Sequence, residues 1–199
     1  LVFNSQTTGR NLNFSGTRAA VNAALTTLTF TPAETADVAL QVVIDGLVNS
    51  IYNTTNHHVY EVATPGYYPT WNDANTLAQA KNFSGVTGYL ATITSIDEQS
   101  VVTQLRTEGW IGGNDGDVEG VWIWEGGPEA GQQFWEGDAT TGEAVDSAYT
   151  NWVGGMPDNY SGSNPDGEDC LQMYAPDYGS NVWNDQNCGA QQFPNYITE

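Results

Sequence analysis

Two cysteines constrain this chain more than any other feature. Cys170 and Cys188 frame the stretch GEDCLQMYAPDYGSNVWNDQNC, and the sequence has no others. Their spacing suits one small disulfide loop, worth about 3 kcal/mol on the chain-entropy model. A bridge favours an oxidising, extracellular setting; the other reading of the pair is two buried free thiols. Glu168 and Asp169 stand against the first cysteine, and Asn184 and Asp185 stand just before the second. If bridged, the cysteines would press a loop carrying two carboxylates against a strand carrying an amide and a third carboxylate. Ca²⁺ takes six to eight oxygens at about 2.3 to 2.6 Å, from carboxylates, amides, main-chain carbonyls and water. The staple therefore predicts a cation site.

The charge balance agrees. Four Lys and Arg against 24 Asp and Glu give a net charge of -20 over 199 residues, which repels nucleic acid and an anionic membrane surface alike. It suits cation binding, and equally the solvated acidic surface of a salt-adapted or secreted protein. No apolar run approaches the roughly 20 residues of a membrane span, and the chain does not open on a basic start followed by an apolar stretch. Beginning at Leu1 without Met, it reads as a piece of a larger polypeptide.

All but three of the 24 acids, Glu34, Asp37 and Asp45, lie beyond residue 52, and no Trp precedes it. This predicts two domains, a small α+β or β-rich module over 1–52 and a larger domain over 53–199. In the first, Val21, Leu25 and Leu28 recur at helical spacing, while LTFTP and VALQVVIDG read as strands. In the second, NDANTLAQAKNF predicts a helix with Ala74, Leu77 and Ala78 on one face and Asn72 or Asp73 as its cap. SIDEQSVVTQL predicts another, with a Ser95–Glu98 capping box ahead of Val101, Val102 and Leu105. GYLATIT between them, and GWIGG and GVWIWEGG after them, read as strands. About 60 residues rich in Gly, Pro, Asn and Asp follow, and so long an irregular stretch is usually functional.

From Tyr60 to Glu199 the chain resembles the C-type lectin domain family. The landmarks appear in order: YLATITSIDEQ, WIGGNDGDVEGVWIWEGG, NWVGGMPDN, GEDCLQM, WNDQNC and QQFPNYITE. The resemblance implies an α+β fold with two helices, short antiparallel strands and a long calcium-binding loop, in which two neighbouring sugar hydroxyls complete the shell of a bound Ca²⁺. It implies Asp158, Glu168, Asn184 and Asp185 as ligands of both metal and sugar, Pro157 in a cis peptide bond, and Asp115, Glu119 and Asp169 as auxiliary calcium ligands, with Asn159 where another acid often sits. The WND at 71–73 starts a helix and has no cysteine partner. Where the family carries Glu or Gln before the proline, this chain has Met156, a poor ligand for a hard cation. A main-chain carbonyl or water then fills the gap, or the site is weakened, or it is structural only. The reading MPD resembles the galactose-type rather than the mannose-type family sequence, with fucose taken by both types. Tyr160 stands where galactose binders often place a stacking aromatic, and Tyr174 and Tyr178 are further rim candidates. The family's longer-range disulfide is absent, which leaves strand pairing, assisted by the N-terminal module, to hold the ends of the domain.

The first segment is similar to cadherin-like or immunoglobulin-like repeats of large bacterial surface adhesins. Together these readings predict an extracellular, calcium-dependent lectin that binds fucose- or galactose-type cell-surface glycans within an adhesin. The alternative is a calcium-stabilised domain of the same fold that binds a protein or other surface ligand. Catalysis is not expected. Acids that hold a metal stay ionised, whereas a hydrolytic pair needs one protonated member, and the histidines, His57 and His58, sit at the domain junction as a strand start.

Overall fold

The structure, a computed structural model, describes residues 2–3, 14–15, 49–83, 85–162, 165, 167–175 and 181–199. By its internal contacts the chain divides into two compact units, Leu1–Val43 and Ile44–Glu199. In the first, strands β1 (Val2–Phe3) and β2 (Phe14–Ser15) pair antiparallel. The helical set Val21, Leu25 and Leu28 and the two segments read as strands there lie outside the described residues.

The larger unit has two helices and a mostly antiparallel sheet, the α+β architecture that the sequence predicts. Helix α1 runs Trp71–Gln79 and buries Ala74 and Ala78, with Leu77 packed at the edge of the same cluster. Its cap is Thr70, two residues before Asn72 and three before Asp73. Thr70 Oγ1 accepts from the Asp73 amide and the Asp73 carboxylate accepts from the Thr70 amide, both at 3.1 Å. The reciprocal Thr70–Asp73 box explains the earlier start. Trp71 is pulled into the core, where its indole donates to the Ile111 carbonyl and its amide to that of Cys188. Helix α2 runs Ile96–Thr103, and the Ser95 hydroxyl caps it by accepting from the Glu98 amide. The Glu98 carboxylate reaches back one residue further than a capping box, to the Thr94 amide at 2.6 Å.

Strands β3 (Ser50–Tyr52), β4 (Val59–Ala63), β7 (Gly109–Asn114), β8 (Val121–Trp124), β9 (Gln133–Glu136), β10 (Glu143–Ala144) and β13 (Tyr196–Thr198) form one sheet in the order β10-β9-β8-β7-β13-β4-β3. The short hairpin β5 (Asn82–Phe83) and β6 (Val86–Thr87) stands apart. Strands β11 (Cys170–Met173) and β12 (Trp183–Gln186) branch from β7, with β11 pairing both β7 and β12 antiparallel. β13 is antiparallel to β4 and parallel to β7. GYLATIT is not a strand. Its hydrogen bonds are divided between the chain's end and β7, Ala91 N to Ile197 O and Gly112 N to Ala91 O, which leaves only an isolated bridge at Leu90. Gly112 is required at this crossing, because a β-carbon there would collide with the Leu90 carbonyl.

The main core is aromatic. Trp124 stacks on Phe134 at 4.4 Å between centroids, and Trp183 meets Trp124 edge-on at 5.7 Å. Trp122, Trp124, Phe134 and Trp183 are all but fully buried. Such rings bury on the order of 150 to 250 Å² each, so this cluster dominates the packing energy beneath the long loop.

Candidate functional site

The site is assembled where β12 leaves the aromatic core. Trp183 is fixed by its ring contacts and by its indole, which donates to Gln99 of α2 at 3.0 Å. The next two residues, Asn184 and Asp185, are therefore carried on a buried strand. Opposite them, Leu171 pairs with Asp185 and Gln172 with Asn184. Cys170 and Cys188 form a disulfide, with Cα atoms 5.1 Å apart, which decides between the two readings of the pair and holds Glu168 and Asp169 beside β12. The long loop docks on the same strand through an isolated bridge between Trp152 and Trp183. It then turns through Met156–Pro157, a cis peptide bond, and the Pro157 carbonyl accepts from the Ala139 amide at 2.7 Å.

These supports bring Asp158, Glu168 and Asp185 together, with one carboxylate oxygen of each within 4.8 Å of the others. Asp158 is exposed, Glu168 half-buried and Asp185 fully buried. Asp185 Oδ2 accepts from the Asn159 amide at 2.7 Å, whereas its Oδ1 is buried with no hydrogen-bond donor. Burial, with the neighbouring Asp158 charge adding, pushes the Asp185 carboxyl up to about 6. Burial and then the Asp185 and Asp158 charges push Glu168 up to about 7, against a Tyr160 main-chain N–H that favours its ionised form. Asn184 is buried, and its amide nitrogen donates to the Asp185 carbonyl.

The acids of the auxiliary position stand close by without forming a comparable three-oxygen cluster among the described residues. Asp115 is 3% exposed. Its Oδ2 accepts from the Gly120 amide at 2.8 Å, and its Oδ1 is buried without a donor. Burial, then Glu119, Asp169 and Asp185, push its carboxyl up to about 7. Glu119 is raised by burial and then by Asp169. Asp169 offers its main-chain carbonyl to the Asp115 amide at 3.1 Å.

One residue matters more here than its sequence position implies. Asn159 donates its amide to Asp185, accepts from the Glu168 amide at 2.9 Å through Oδ1, and hydrogen-bonds the Glu119 side chain. It links both acidic groups, and at φ 46° it occupies the left-handed region that Asn tolerates better than most residues. The signal available in the sequence was an Asn directly after Asp158 in a turn-rich loop. Gly167 has φ +83°, and a β-carbon there would collide with the Asn159 amide, so glycine is required for that contact. The Tyr160 ring is 60% exposed and folds over Gly162. Tyr174 is half-buried beside the cage, its hydroxyl raised first by burial and then by Glu168, Asp185 and Asp158. Tyr178 lies outside the described residues.

Three clustered acids, with one buried oxygen lacking a donor, fit a cation chemically. A carboxylate without a donor is costly to bury, and a hard divalent ion would supply what is missing. Residues 69–193 match the lectin C-type domain family. The chain belongs to that family. The chain is 30% identical to halomucin from Haloquadratum walsbyi over 99% of its length, which covers 2% of that protein. The alpha-N-acetylgalactosamine-specific lectin from Patiria pectinifera is 32% identical over 60% of this chain and 62% of its own length. Human lithostathine shares the fold at a TM-score of 0.50 and 20% identity, covering 83% of this chain and 97% of that one. The chain spans less than two thirds of these two curated relatives. The family binds carbohydrate and is not enzymatic, its members typically bind calcium, and the disulfide fits an oxidising, extracellular setting. Among the described residues no helix is long and apolar enough to cross a membrane.

Proposed function

We propose that the lectin domain binds galactose- or fucose-type glycans through a calcium ion held by Asp158, Glu168, Asn184 and Asp185. The observation that carries this reading is the cluster of three carboxylates around a buried Asp185 oxygen that has no donor. Calcium would neutralise the mutual repulsion and present open coordination positions to a pair of hydroxyls. Asp158 and Glu168, on the rim, would accept hydrogen bonds from those hydroxyls, and the exposed Tyr160 ring would stack on the sugar's apolar face. The sequence MPD and the similarity to an N-acetylgalactosamine-specific lectin support the galactose side of the choice. Asp115, Glu119 and Asp169, bridged to the cage by Asn159, would hold an auxiliary calcium.

In this reading the domain is the gripping module of a large bacterial surface adhesin, joined through its first 52 residues. The similarity to halomucin over nearly the whole chain supports a large parent. Single sugars held by two hydroxyl–metal bonds bind weakly, because those bonds mostly replace water–metal bonds, and repeated copies would supply strength. Calorimetric titration with galactose, fucose and mannose, with and without a chelator, tests the proposal. Chelator-sensitive binding of the first two is expected, and none with any of the three rejects it. Met156 favours one other reading, a calcium-stabilised domain that grips a protein or other surface ligand. Asp185→Ala separates the two, since the sugar reader loses its ligand and a binder using other faces keeps it.

A further inference from the structure

A groove lies where β4, β13 and the end of α1 meet, on none of the strands that carry the acidic cluster. It encloses about 390 Å³, and Glu61, Lys81 and Tyr196 line it together with the exposed Asn49 and Thr64. That volume falls in the range of small-ligand pockets, about 300 to 1,000 Å³. Lys81 is set in place by the main chain on both sides. Its amide donates to the Ala78 carbonyl and its carbonyl accepts from the Gly88 amide, each at 3.0 Å. The ammonium pairs with Glu61 Oε2 at 2.8 Å and stands 5.8 Å from the centre of the Tyr196 ring. Both side chains keep access to solvent, at 22% for Lys81 and 26% for Glu61. An ammonium has three donors and a carboxylate about four acceptor positions, so one mutual contact leaves most of them for a ligand.

The rim adds an acceptor and two aromatic rings. The Thr64 hydroxyl donates to Asn195 Oδ1 at 2.7 Å, so its lone pairs are what it presents. Tyr67 and Tyr68 follow Pro65 of the groove wall and are 50% and 53% exposed. Burial, then Glu61 and Tyr67, raise the Tyr196 hydroxyl, which places Tyr67 beside the groove floor.

Charge selects the ligand. Beyond residue 52 the basic residues are Lys81 and Arg106, against 21 acids, a field that repels anions. Glu61 cancels the local pull of Lys81 on an anion, and Lys81 repels a cation. An apolar molecule would strip water from the ion pair without replacing its hydrogen bonds. A neutral molecule with adjacent hydroxyls and one apolar face answers every group in the groove, since tyrosine rings cover such a face. A neutral sugar residue has that chemistry.

We propose that the Lys81–Glu61 groove is a second carbohydrate subsite, which takes a neutral sugar residue without calcium. Lys81 donates to one hydroxyl, Glu61 and Thr64 accept from its neighbours, and the Tyr67 ring covers the apolar face. The subsite uses none of Asp158, Glu168, Asn184 and Asp185, so it goes beyond the calcium cage and stands or falls separately from it.

The test follows the backbone amide resonances of the whole chain in chelator while methyl galactoside, methyl fucoside or methyl mannoside is added. Saturable shifts at Ala63, Thr64, Tyr67 and Lys81 are expected with at least one of the three, and Asp185→Asn should keep them. Lys81→Met retains the apolar stem and removes the donors, and should weaken the binding by about tenfold, the scale of one charged hydrogen bond. Should Lys81→Met fail to fold, Tyr67→Ser at its exposed position takes its place and should weaken the same shifts. Absence of saturable shifts at these residues with all three sugars overturns the subsite. So do shifts that survive the groove variant unchanged, or that vanish in Asp185→Asn. Because calcium is removed throughout, the calcium-dependent titration of the cage keeps its own outcome.

Discussion

Asp185→Asn tests the electrostatic core of the proposed site with the least change of shape. The side chain is fully buried, one oxygen accepts from the Asn159 amide, and the other has no donor. Asparagine can keep the first bond and cannot ionise. Burial above all lifts the Asp185 carboxyl from 3.8 to about 6, and at 1.36 kcal/mol per unit two units amount to about 3 kcal/mol. The group is raised, so its protonated form supports the fold, and that support is lost as pH climbs through about 6. Without a divalent cation, Asp185→Asn should therefore gain on the native chain by up to about 3 kcal/mol between pH 4 and 8. Calcium at about 1,000 times its dissociation constant should reverse the order, since it stabilises by about 4.1 kcal/mol and the variant lacks a ligand charge. Urea unfolding followed by tryptophan fluorescence, at both pH values and in chelator or calcium, reads all four combinations. The reasoning fails if the variant is the less stable protein in chelator at pH 8, or if calcium raises both proteins equally.

The remaining predictions concern the supports of the cage. Replacing Cys170 and Cys188 together by Ser should cost about 3 kcal/mol for a loop with a sequence separation of 18. It should also weaken calcium binding, because Glu168 and β12 lose their staple; calcium titration of the folded variant checks this. Gly167→Ala forces a side chain to φ +83° and into the Asn159 amide, at a cost of about 1 to 3 kcal/mol, and thermal unfolding with and without calcium should show the loss in both conditions.

The parts of this fold that the sequence displays are those governed by short-range rules. Ser95 announces α2 because its hydroxyl needs only the amide three residues on. The α1 cap at Thr70 was legible too, since Thr70 and Asp73 make the same local box, whereas the burial of Trp71 against β7 and Cys188 is a long-range contact that no local pattern records. GYLATIT has strand composition, yet its partners already spend their hydrogen bonds elsewhere, so an apolar run becomes a single bridge. In the site, Glu168, Asn184 and Asp185 are legible because the cysteines frame them. The reach of Asn159 to Asp185, Glu168 and Glu119 is not, since it depends on how the loop folds back across 26 residues of sequence. The histidine pair read as a strand start, and the contact of His58 with Glu199 spans 141 residues.

These two kinds of information meet in a site with unlike halves. Asn184 and Asp185 continue a strand whose Trp183 is locked between Trp124, Phe134 and the Gln99 side chain. Their positions follow from core packing, where truncating a buried tryptophan costs about 3 to 5 kcal/mol. Asp158, Glu168 and Tyr160 belong to a loop tied to that strand chiefly through Asn159 and the Trp152 bridge. If the proposed site reads sugar hydroxyls, a substitution in the loop would change which are read while leaving the fold intact, and a substitution in β12 would strike the acidic cluster and the core together. Met156 lies on the loop side of this division, half-buried beside the cis bond. In the proposed site, the oxygen ligand that Met156 does not supply would thus bear on affinity and ligand choice and would spare the strand that carries Asn184 and Asp185.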